Sequence, residues 1–437
     1  IPQEYKNKDG DGNLVISSKF LADNPQFLTV SGDTIQITNQ HYTLRQKVIQ
    51  PQSAMVITEP ETGAIRAMVG GRETIGRLLF NRATSPRQPG SSMKPIGAYG
   101  PAIQQGADAA KSGTPQSFKG ETSALYGDYW TAASVIDDAP LTVDGKLWPT
   151  NWYTGYRGLN SMRVSIEQSI NVNAVKVFQE VGVPASVSFL KKLGITSLVE
   201  NGATNDMNAA ALALGGMTKG VSPLEMAGAY GAFVNPGLYT EPVAYTRVEN
   251  KRGEVILEKI PYKSQAMDKE TAFIMTDMLK STVQYGIGAS AAIGSQPVAG
   301  KTGTTSDNYD AWFVGFTPQY VGSIWIGNDV NIELTQGSVA SSRLFSKIMK
   351  QVCAGLPSGS FPGPTDKIVT VSIDSASGLL PGDLTALDPR GTIRNEYFIA
   401  GTQPTRTDNL HTAVRICSET GFLATPECTF TAEKVGI

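Results

Sequence analysis

Runs of apolar residues typical of β-strands occur in two separate parts of the chain. The early runs are joined by Pro60-Glu61-Thr62-Gly63, a sequence typical of a hairpin turn, and the later ones read as an antiparallel meander. The runs cover residues 53–59, 64–69, 298–304, 311–317 and 320–327. We expect the early and the late strands to join in one antiparallel sheet.

Between these two groups, apolar residues recur with helical periodicity. The predicted helices cover residues 93–105, 161–182, 185–193, 208–214, 223–233 and 269–284, with a closing helix at 341–353. A further hairpin is predicted within residues 240–260. Strands, a large helical middle and then strands again predict an α+β domain, in which helices flank a central antiparallel sheet and an all-helical lobe lies beside it.

Residues 106–160 lack this periodicity and are rich in Gly, Pro, Ser, Thr and Asp. Such a composition predicts a long irregular excursion, and long excursions in compact domains often border a functional cleft. Its aromatic residues are Tyr126, Tyr129, Trp130, Trp148, Trp152 and Tyr153. These side chains either line a substrate groove or pin the loop to the domain, and we favour the second interpretation.

Composition divides the chain into three parts. Residues 1–50 are polar and irregular, with one helix predicted at 41–49, and are interpreted as a linker or the remnant of an upstream domain. Residues 51–356 are predicted to form the α+β domain. A segment rich in Gly, Pro and Ser follows, and residues 363–437 are predicted to form a small β-rich C-terminal domain.

The C-terminal part contains two similar turn sequences and two of the three cysteines. Ser375-Ala376-Ser377-Gly378-Leu379-Leu380-Pro381 is similar to Ser418-Glu419-Thr420-Gly421-Phe422-Leu423-Ala424, which indicates a weak repeat. Cys417 and Cys428 close a short loop. They form a disulfide in an oxidising setting or remain free thiols, and both interpretations stay open.

Charge and composition exclude several classes of function. The net charge of −2 and the scattered basic residues give no sign of a surface for nucleic acid. No apolar run reaches the roughly 18 residues of a membrane span, so we expect a soluble protein or the soluble part of an anchored one. The two histidines, His41 and His411, are far in sequence from the motifs below, which argues against a Ser-His-Asp triad or a His-rich metal site. We predict no cofactor and no metal.

Ser91 and Lys94 form an S-x-x-K motif. Pro89 and Gly90 break the preceding structure, so Ser91 is predicted at or near a helix start, with Lys94 on the same face and in contact with it. A serine hydroxyl needs an adjacent base to act as a nucleophile. A lysine provides that base if burial and a second cation lower its pKa from about 10.4 toward about 7.

Two later motifs supply partners for this pair. Ser169-Ile170-Asn171 is an S-x-N motif, and Lys301-Thr302-Gly303 is a K-T-G motif. Each motif alone is weak, since similar triplets or quartets begin at Lys111, Ser188 and Ser306. The order is more specific, because it combines a helix start, a position between helices and a strand.

The position of K-T-G on a strand predicts the direction in which each of its side chains points. Successive side chains of a strand point to opposite faces. Lys301 is therefore predicted to face the catalytic groups, where its charge lowers the pKa of Lys94, and Thr302 or Thr304 to face the groove. Gly303 is predicted to leave room for a substrate lying against the strand.

The motif order S-x-x-K, S-x-N, K-T-G resembles that of penicillin-binding proteins and class A β-lactamases. The chain also resembles the transpeptidase domain of class A penicillin-binding proteins at residues 87–91, 299–305, 310–315 and 400–405, and the likeness covers roughly residues 50–437. It implies that Ser91 is the acylated nucleophile, Lys94 its general base and Ser169 the proton shuttle to the leaving group. The N–H groups of Ser91 and Thr304 would form the oxyanion hole.

The same resemblance implies a substrate. Asn171 would hold the peptide of a peptidoglycan stem, and Lys301, Thr302 and Thr304 would bind its terminal D-Ala carboxylate or that of a β-lactam, with Gly303 part of the same binding strand. Ser91 would attack the penultimate carbonyl and release D-Ala, and an amine from a second stem would take the acyl group. β-Lactams would act as covalent inhibitors.

Three alternatives use the same residues. A D,D-carboxypeptidase differs only in using water as the acceptor. Class A serine β-lactamases resemble one another in carrying an E-x-x-x-N segment between S-x-N and K-T-G. No such segment occurs between Asn171 and Lys301 here. A β-lactam-sensing or cell-wall binding module would acylate without turnover, which the intact Lys94, Ser169 and Lys301 disfavour.

Class A members also carry a membrane anchor and a glycosyltransferase domain ahead of the transpeptidase domain. Neither is recognised in this sequence, which predicts either an excised fragment or a chain outside class A. The resemblance implies a place on the extracellular face of the bacterial plasma membrane. It further implies that the full-length protein is anchored there and is a peptidoglycan glycosyltransferase as well.

Overall fold

A computed structural model describes residues 2–8, 10, 14–25, 29–31, 34–36, 50–72, 79–120 and 123–436. The chain forms two compact units, Ile1–Gln50 and Pro51–Ile437. The first unit contains two antiparallel strand pairs and a short helix, namely β1 (Lys6–Lys8) with β2 (Leu14–Ile16), β3 (Thr29–Ser31) with β4 (Thr34–Gln36), and α1 (Ser18–Asp23). The helix predicted at 41–49 lies outside the described residues.

The second unit holds the remaining elements. Its helices are α2 (Gly100–Ser112), α3 (Met162–Glu167), α4 (Asn171–Val181), α5 (Val183–Lys192), α6 (Ala209–Leu212), α7 (Pro223–Val234), α8 (Lys269–Gln284) and α9 (Ser338–Val352). Its strands are β5 (Gln52–Thr58), β6 (Ile65–Val69), β7 (Val135–Asp138), β8 (Thr142–Val143), β9 (Lys146–Leu147), β10 (Gly158–Ser161), β11 (Leu238–Thr240), β12 (Arg247–Glu249), β13 (Val255–Glu258), β14 (Lys263–Gln265), β15 (Ala299–Thr304), β16 (Asp310–Phe316), β17 (Val321–Gly327), β18 (Ile368–Asp374), β19 (Ile393–Ile399), β20 (Thr412–Cys417) and β21 (Thr431–Gly436).

Five strands form an antiparallel sheet in the order β15, β16, β17, β5, β6. The predicted joining of early and late strands is confirmed, because β5 pairs with β17 over its whole length, from Thr58 opposite Val321 to Gln52 opposite Gly327. Every residue of β16 is buried. A strand buried on both faces reads as a nearly continuous apolar run, as β16 does.

Helices cover both faces of this sheet. Successive residues of β5 point to opposite sides, so Val56 and Ile57 enter different cores. Val56 belongs to the core that contains Tyr230 of α7, whereas Ile57 belongs to the core that contains Phe345 of α9. The predicted α+β fold, with helices on the faces of a central antiparallel sheet, is confirmed.

Two predicted helices differ in detail from the structure. The helix predicted at 93–105 is instead a 3-10 turn at Gly90–Met93, a π-helical segment at Pro95–Tyr99 and then α2. Pro95 has no N–H for the carbonyl of Ser91, which accepts the backbone N–H of Lys94 instead. The helix predicted at 161–182 is divided into α3 and α4, because Ser169 between them has a φ of +54°, which a right-handed helix does not accommodate.

The irregular excursion predicted at 106–160 begins after α2 and is tied at its far end, where β10 pairs with β7. Some of its aromatic residues pin the loop to the domain, and others line a groove. Tyr126 and Trp130 are buried and stacked, with ring centroids 4.6 Å apart, and they pin the loop to the core. Trp152 is 58% exposed and borders the cleft described below.

The C-terminal part of the second unit is β-rich, with β18 paired to β19 and β20 paired to β21. It is joined to the helical lobe by a buried ion pair between Arg163 of α3 and Glu396 of β19. The domain boundaries at 356 and 363 stay a prediction. Among the described helices, none is both long enough and apolar enough to cross a lipid bilayer.

Candidate active site

The turn that carries Ser91 is fixed by close backbone contacts. Gly90 has a φ of +53°, and a Cβ at this position would lie 2.4 Å from the carbonyl oxygen of Thr304. A Cβ on Gly215 would lie 2.2 Å from the carbonyl oxygen of Gly90. Only glycine satisfies both the backbone conformation and the space available. The turn is therefore clamped between β15 and the segment that follows α6.

Gly303 belongs to the same clamp. A Cβ on Gly303 would lie 2.2 Å from the carbonyl oxygen of Pro89 and 2.9 Å from Oγ of Ser92. The prediction that Gly303 leaves room for substrate is therefore corrected. Its missing side chain lets β15 approach the turn of Ser91, which brings the K-T-G strand next to the nucleophile candidate.

The chain that leads into the turn is tied to β16 and β17. Nε of Arg87 donates to Oδ1 of Asp310 at 2.9 Å, and the indole N–H of Trp325 donates to the same oxygen at 2.8 Å. The indole N–H of Trp312 donates to the carbonyl of Gln88 at 2.8 Å. Because the contacts of Arg87 and Gln88 span more than 220 residues of sequence, the sheet determines where Ser91 lies.

Lys94 is completely buried, and its Nζ is directed at the S-x-N segment. It donates to the carbonyl of Ser169 at 2.7 Å and to Oδ1 of Asn171 at 2.6 Å, and it lies 3.1 Å from Oγ of Ser169. In the part of the chain that the structure describes, no hydrogen bond joins this nitrogen to Ser91. The predicted contact between Ser91 and Lys94 is thus replaced by contacts between Lys94 and the S-x-N segment.

Ser169 lies between α3 and α4 in the left-handed conformation that few residues other than glycine adopt. Strained backbone of this kind persists only when its surroundings impose it, and it is common at functional sites. Asn171, the first residue of α4, is held by the excursion. Its Nδ2 donates to the carbonyl of Thr150 at 2.8 Å, and its backbone N–H donates to Oδ1 of Asn151 at 2.9 Å.

Lys301 approaches the same serine from the sheet. It is completely buried, and its Nζ donates to Oγ of Ser169 at 2.9 Å and to the carbonyl of Thr302 at 3.2 Å. The hydroxyl of Ser169 therefore lies between the two lysine nitrogens. The three motifs meet at this hydroxyl, as their order predicts.

Burial lowers the pKa of both lysines. It is the main cause for Lys94, whose pKa lies well below its usual value, and the charge of Lys301 lowers it further. Burial lowers the pKa of Lys301 to about 7. Among the described residues, no acidic side chain offsets either shift. A buried, unpaired ammonium loses its proton readily, so this site can hold a lysine as a free amine near neutral pH.

The family described as "Penicillin binding protein transpeptidase domain" matches residues 122–350. The chain belongs to this family. A second family, described as "Penicillin-binding protein 1A, C-terminal domain", matches residues 364–413 of the same chain. The resemblance of the sequence to class A penicillin-binding proteins is therefore confirmed.

Similar proteins carry the same family name. Penicillin-binding protein 1A of Clostridium botulinum (strain Langeland) is 37% identical over 392 residues, which are 86% of this chain and 44% of that protein. Penicillin-binding protein 1A/1B of Bacillus subtilis (strain 168) is 35% identical over 379 residues, 81% of this chain and 37% of that protein. The crystal structure of penicillin-binding protein 1A from Haemophilus influenzae aligns with a TM-score of 0.65 at 25% identity, over 92% of this chain and 57% of that one. The chain spans less than half the length of the relatives from Clostridium botulinum and Bacillus subtilis.

The transpeptidase domain has a cleft of about 790 Å³ at the meeting point of its motifs. Ser91, Ser169, Asn171, Thr302 and Thr304 all line it. Lys94 and Lys301 lie behind this wall, completely buried. The cleft is large enough for a short peptide, and its wall carries hydroxyl and amide groups that can orient one.

Part of the remaining wall of the cleft comes from the excursion, and the motifs did not predict it. Trp148, Thr150, Asn151 and Trp152 line this side. The indole N–H of Trp152 donates to the carbonyl of Gln168 at 2.8 Å, directly before Ser169. The aromatic residues of the excursion were the available signal, although the favoured interpretation assigned them to the packing of the loop.

Proposed function

We propose that this chain is a D,D-transpeptidase that cross-links peptidoglycan stem peptides through an acyl-enzyme on Ser91. β-Lactams inhibit it by acylating the same hydroxyl. The observation that carries the proposal is the convergence of two buried lysines, Lys94 and Lys301, on the hydroxyl of Ser169 in the cleft of Ser91. Membership of the transpeptidase family supports the same reaction.

Acylation begins with Lys94 as a free amine. Its two N–H groups donate to the carbonyl of Ser169 and to Oδ1 of Asn171, which leaves the lone pair to accept a proton. When a stem peptide enters, the Ser91 hydroxyl gives its proton to this nitrogen as Oγ attacks the penultimate D-Ala carbonyl. The N–H groups of Ser91 and Thr304 stabilise the oxyanion that forms.

The proton then moves to the leaving group through Ser169. Its hydroxyl lies 3.1 Å from Nζ of Lys94, so it can take a proton from that lysine while it gives its own to the departing amine of D-Ala. Lys301 donates to the same oxygen at 2.9 Å and so holds the hydroxyl in place. The acyl-enzyme remains on Ser91, and the amine of a second stem peptide takes over the acyl group with Lys94 again as the base.

The substrate is held on both sides of the reacting carbonyl. Asn171 binds the peptide of the donor stem. Thr302 and Thr304 also line the cleft, and with Lys301 they bind the terminal carboxylate. A hydroxyl pair backed by a cation suits a carboxylate, because charge-assisted hydrogen bonds are stronger than neutral ones.

We also propose a setting for this domain. The chain acts on the extracellular face of the bacterial plasma membrane, where peptidoglycan is assembled. The full-length protein is anchored there and carries a peptidoglycan glycosyltransferase domain, as the class A resemblance implies. Stem peptides are its substrates, β-lactams its covalent inhibitors, and the membrane is reached only through that anchor.

The test is the intact mass of the protein after incubation with benzylpenicillin. The chain is compared with Ser91→Ala and with Ser188→Ala, a matched control because Ser188 begins a second S-x-x-K sequence on an exposed face of α5. We expect a stable adduct of one drug mass on the parent and on Ser188→Ala, and none on Ser91→Ala. An adduct that forms equally on Ser91→Ala would overturn the proposal.

Two other outcomes assign a different function. Consumption of the drug with rapid return to the unmodified mass identifies a β-lactamase. With a stem-peptide mimic, release of D-Ala that yields only hydrolysed product, even when an acceptor amine is abundant, identifies a carboxypeptidase. If the chain neither forms an adduct nor consumes the drug, it is a binding module.

A further inference from the structure

The two pairs of C-terminal strands are copies of one motif. We call β18 and β19 with their connection the first copy, and β20 and β21 with theirs the second copy. In the first, Asp374 N–H donates to the carbonyl of Leu379 at 2.9 Å and Gly378 N–H to that of Asp374 at 2.8 Å. In the second, Cys417 N–H donates to the carbonyl of Phe422 and Gly421 N–H to that of Cys417, each at 2.8 Å. The weak repeat in the sequence is therefore a repeat of structure.

The side-chain contacts of the two turns repeat as well. Leu379 N–H donates to Oγ of Ser377, and Phe422 N–H donates to Oγ1 of Thr420, both at 3.3 Å. The backbone N–H of Ser377 donates to the carboxylate of Asp374 at 2.7 Å, and Thr420 makes the corresponding hydrogen bonds to the sulfur of Cys417. Cys417 therefore occupies the position of Asp374.

A second pair of corresponding positions lies near the end of each connection. Asp388 N–H donates to the carbonyl of Thr385 at 3.3 Å, and Cys428 N–H donates to the carbonyl of Thr425 at 3.1 Å. Each of these residues lies shortly before the return strand. Cys428 therefore occupies the position of Asp388.

The two positions of the first copy are bridged by His411, which lies outside that copy, directly before β20. Nε2 of His411 lies 2.7 Å from Oδ2 of Asp388, and Nδ1 lies 3.9 Å from Oδ2 of Asp374 and 2.6 Å from Oδ2 of Asp408. All four side chains are almost completely buried. The bridge joins the start of the connection to its end and so holds the turn closed.

In the described part of the chain no histidine bridges the second copy, and a hydrogen bond between Cys428 and the sulfur of Cys417 takes its place. We propose that Cys417 and Cys428 form a disulfide that closes the second copy, in place of the Asp374–His411–Asp388 bridge of the first. Cys353, the third cysteine, is buried at the end of α9 in a different core and takes no part.

The surroundings of Cys417 favour the reaction. The hydrogen bond from Thr420 and then that from Cys428 lower the pKa of Cys417 to about 7, so a substantial fraction is thiolate at neutral pH. By contrast, burial raises the pKa of Cys353. Disulfides persist in extracellular settings, so the proposal rests on the location given under Proposed function for its occurrence in the cell.

The oxidant is a disulfide, either of a thiol–disulfide oxidoreductase or of a small molecule such as glutathione disulfide. The Cys417 thiolate attacks one sulfur of that disulfide, forms a mixed disulfide and releases the first thiol. The Cys428 thiolate then attacks the sulfur of Cys417 and releases the second thiol. Two protein thiols are oxidised, one disulfide is reduced to two thiols, and the two protons pass to the released thiols.

The test is to equilibrate the purified chain with glutathione disulfide, unfold it and alkylate the remaining thiols. We expect the mass to show alkyl groups on one cysteine instead of three, and a protease digest to link the peptides of Cys417 and Cys428. Cys353→Ser should keep the bond and leave no thiol to alkylate. Cys428→Ser should lose the bond.

Three results would overturn the proposal. One is three alkylated cysteines after oxidation, and another is a glutathione adduct that stays on Cys417 without closing to Cys428. The third is a disulfide between two chains. Because no β-lactam enters this experiment, its failure is separate from a failure of the proposed enzyme function.

Discussion

One buried cation lies in α3 and two others contact the turn that follows α3, and their surroundings are opposite. Lys94 and Lys301 meet at Ser169, and the described residues provide no acidic partner for either. Six residues earlier, Arg163 is held by two carboxylates. Its Nε lies 2.7 Å from Oε2 of Glu396, and its Nη2 lies 2.6 Å from Oδ2 of Asp277.

The comparison shows what a buried charge contributes in each setting. Burial lowers the pKa of Arg163 as well, but the hydrogen bonds and charges of Glu396 and Asp277 outweigh burial and raise it above its usual value. The arginine therefore stays charged and joins α3, α8 and β19. The two lysines have lowered pKa values and lose their protons readily. Groups with strongly shifted pKa values cluster at functional sites, because an acid–base role needs a group that changes protonation near the working pH.

Replacing Lys94 should have the largest effect on activity. We expect Lys94→Met to slow acylation by benzylpenicillin about 10²- to 10⁴-fold, the usual contribution of a general base. The thermal midpoint should stay unchanged or rise, because a buried amine without an acidic partner is removed. The measurement is the time course of adduct formation by mass, together with a melting curve. Acylation at the parent rate would show that Lys94 is not the base.

Replacing Arg163 should reduce the stability of the fold and leave acylation by benzylpenicillin intact. Arg163→Met removes this cation from the buried carboxylate of Glu396 and the partly buried one of Asp277. Breaking a buried pair in this way costs roughly 3–5 kcal/mol of stability. Urea unfolding should detect the loss. The folded fraction should still form the penicillin adduct, since Arg163 does not line the cleft. A stable variant that fails to acylate would place Arg163 in the catalytic machinery.

The free energy of unfolding should depend on pH through Lys301. Its pKa is about 7 in the folded chain and 10.5 ordinarily, so between these values only the unfolded chain holds the proton. Stability therefore rises with pH across this window, by up to about 1.4 kcal/mol per pH unit. We expect Lys301→Met to exceed the parent in stability most at pH 7 and below, and least near pH 10. A difference independent of pH would mean that Lys301 is not buried as an amine.

The smallest effect should come from an exposed lysine. Lys191 forms an ion pair with Glu200 on the surface, at 2.7 Å, with both side chains at least 40% exposed. Lys191→Met should change the free energy of unfolding by less than about 1 kcal/mol and leave acylation unaltered, because water screens such pairs. A loss as large as that of Arg163→Met would undermine the distinction between buried and exposed cations.

The sequence predicted the parts of the site that depend on local regularities. Motif order singled out Ser91, Ser169 and Lys301. Alternation along the K-T-G strand predicted opposite sides for Lys301 and Thr302, whereas Nζ of Lys301 lies 3.3 Å from Oγ1 of Thr302. Apolar runs identified the five strands of the sheet. Each motif and each strand is defined by residues near each other in the chain, so a single sequence contains the information.

The remaining features depend on backbone conformation or on distant contacts. Lys94 lies between a 3-10 turn and a π-helical segment and faces Ser169, and Ser169 adopts a positive φ that no neighbouring residue signals. The pair of Arg163 and Glu396 joins residues 233 positions apart. Gly303 was predicted to leave room for substrate because its packing partner, Pro89, is also remote in sequence.

The pairing of β5 with β17 also determines when folding can finish. Met55 lies opposite Ile324, so its partner is synthesised 324 − 55 = 269 residues later. When the chain is synthesised at about 5–20 residues per second, the edge of β5 that pairs with β17 stays unpaired for roughly 15–50 seconds. During that time an apolar strand presents free backbone groups, which favours association with other chains. A chain terminated before β17 should therefore aggregate instead of forming a smaller folded domain.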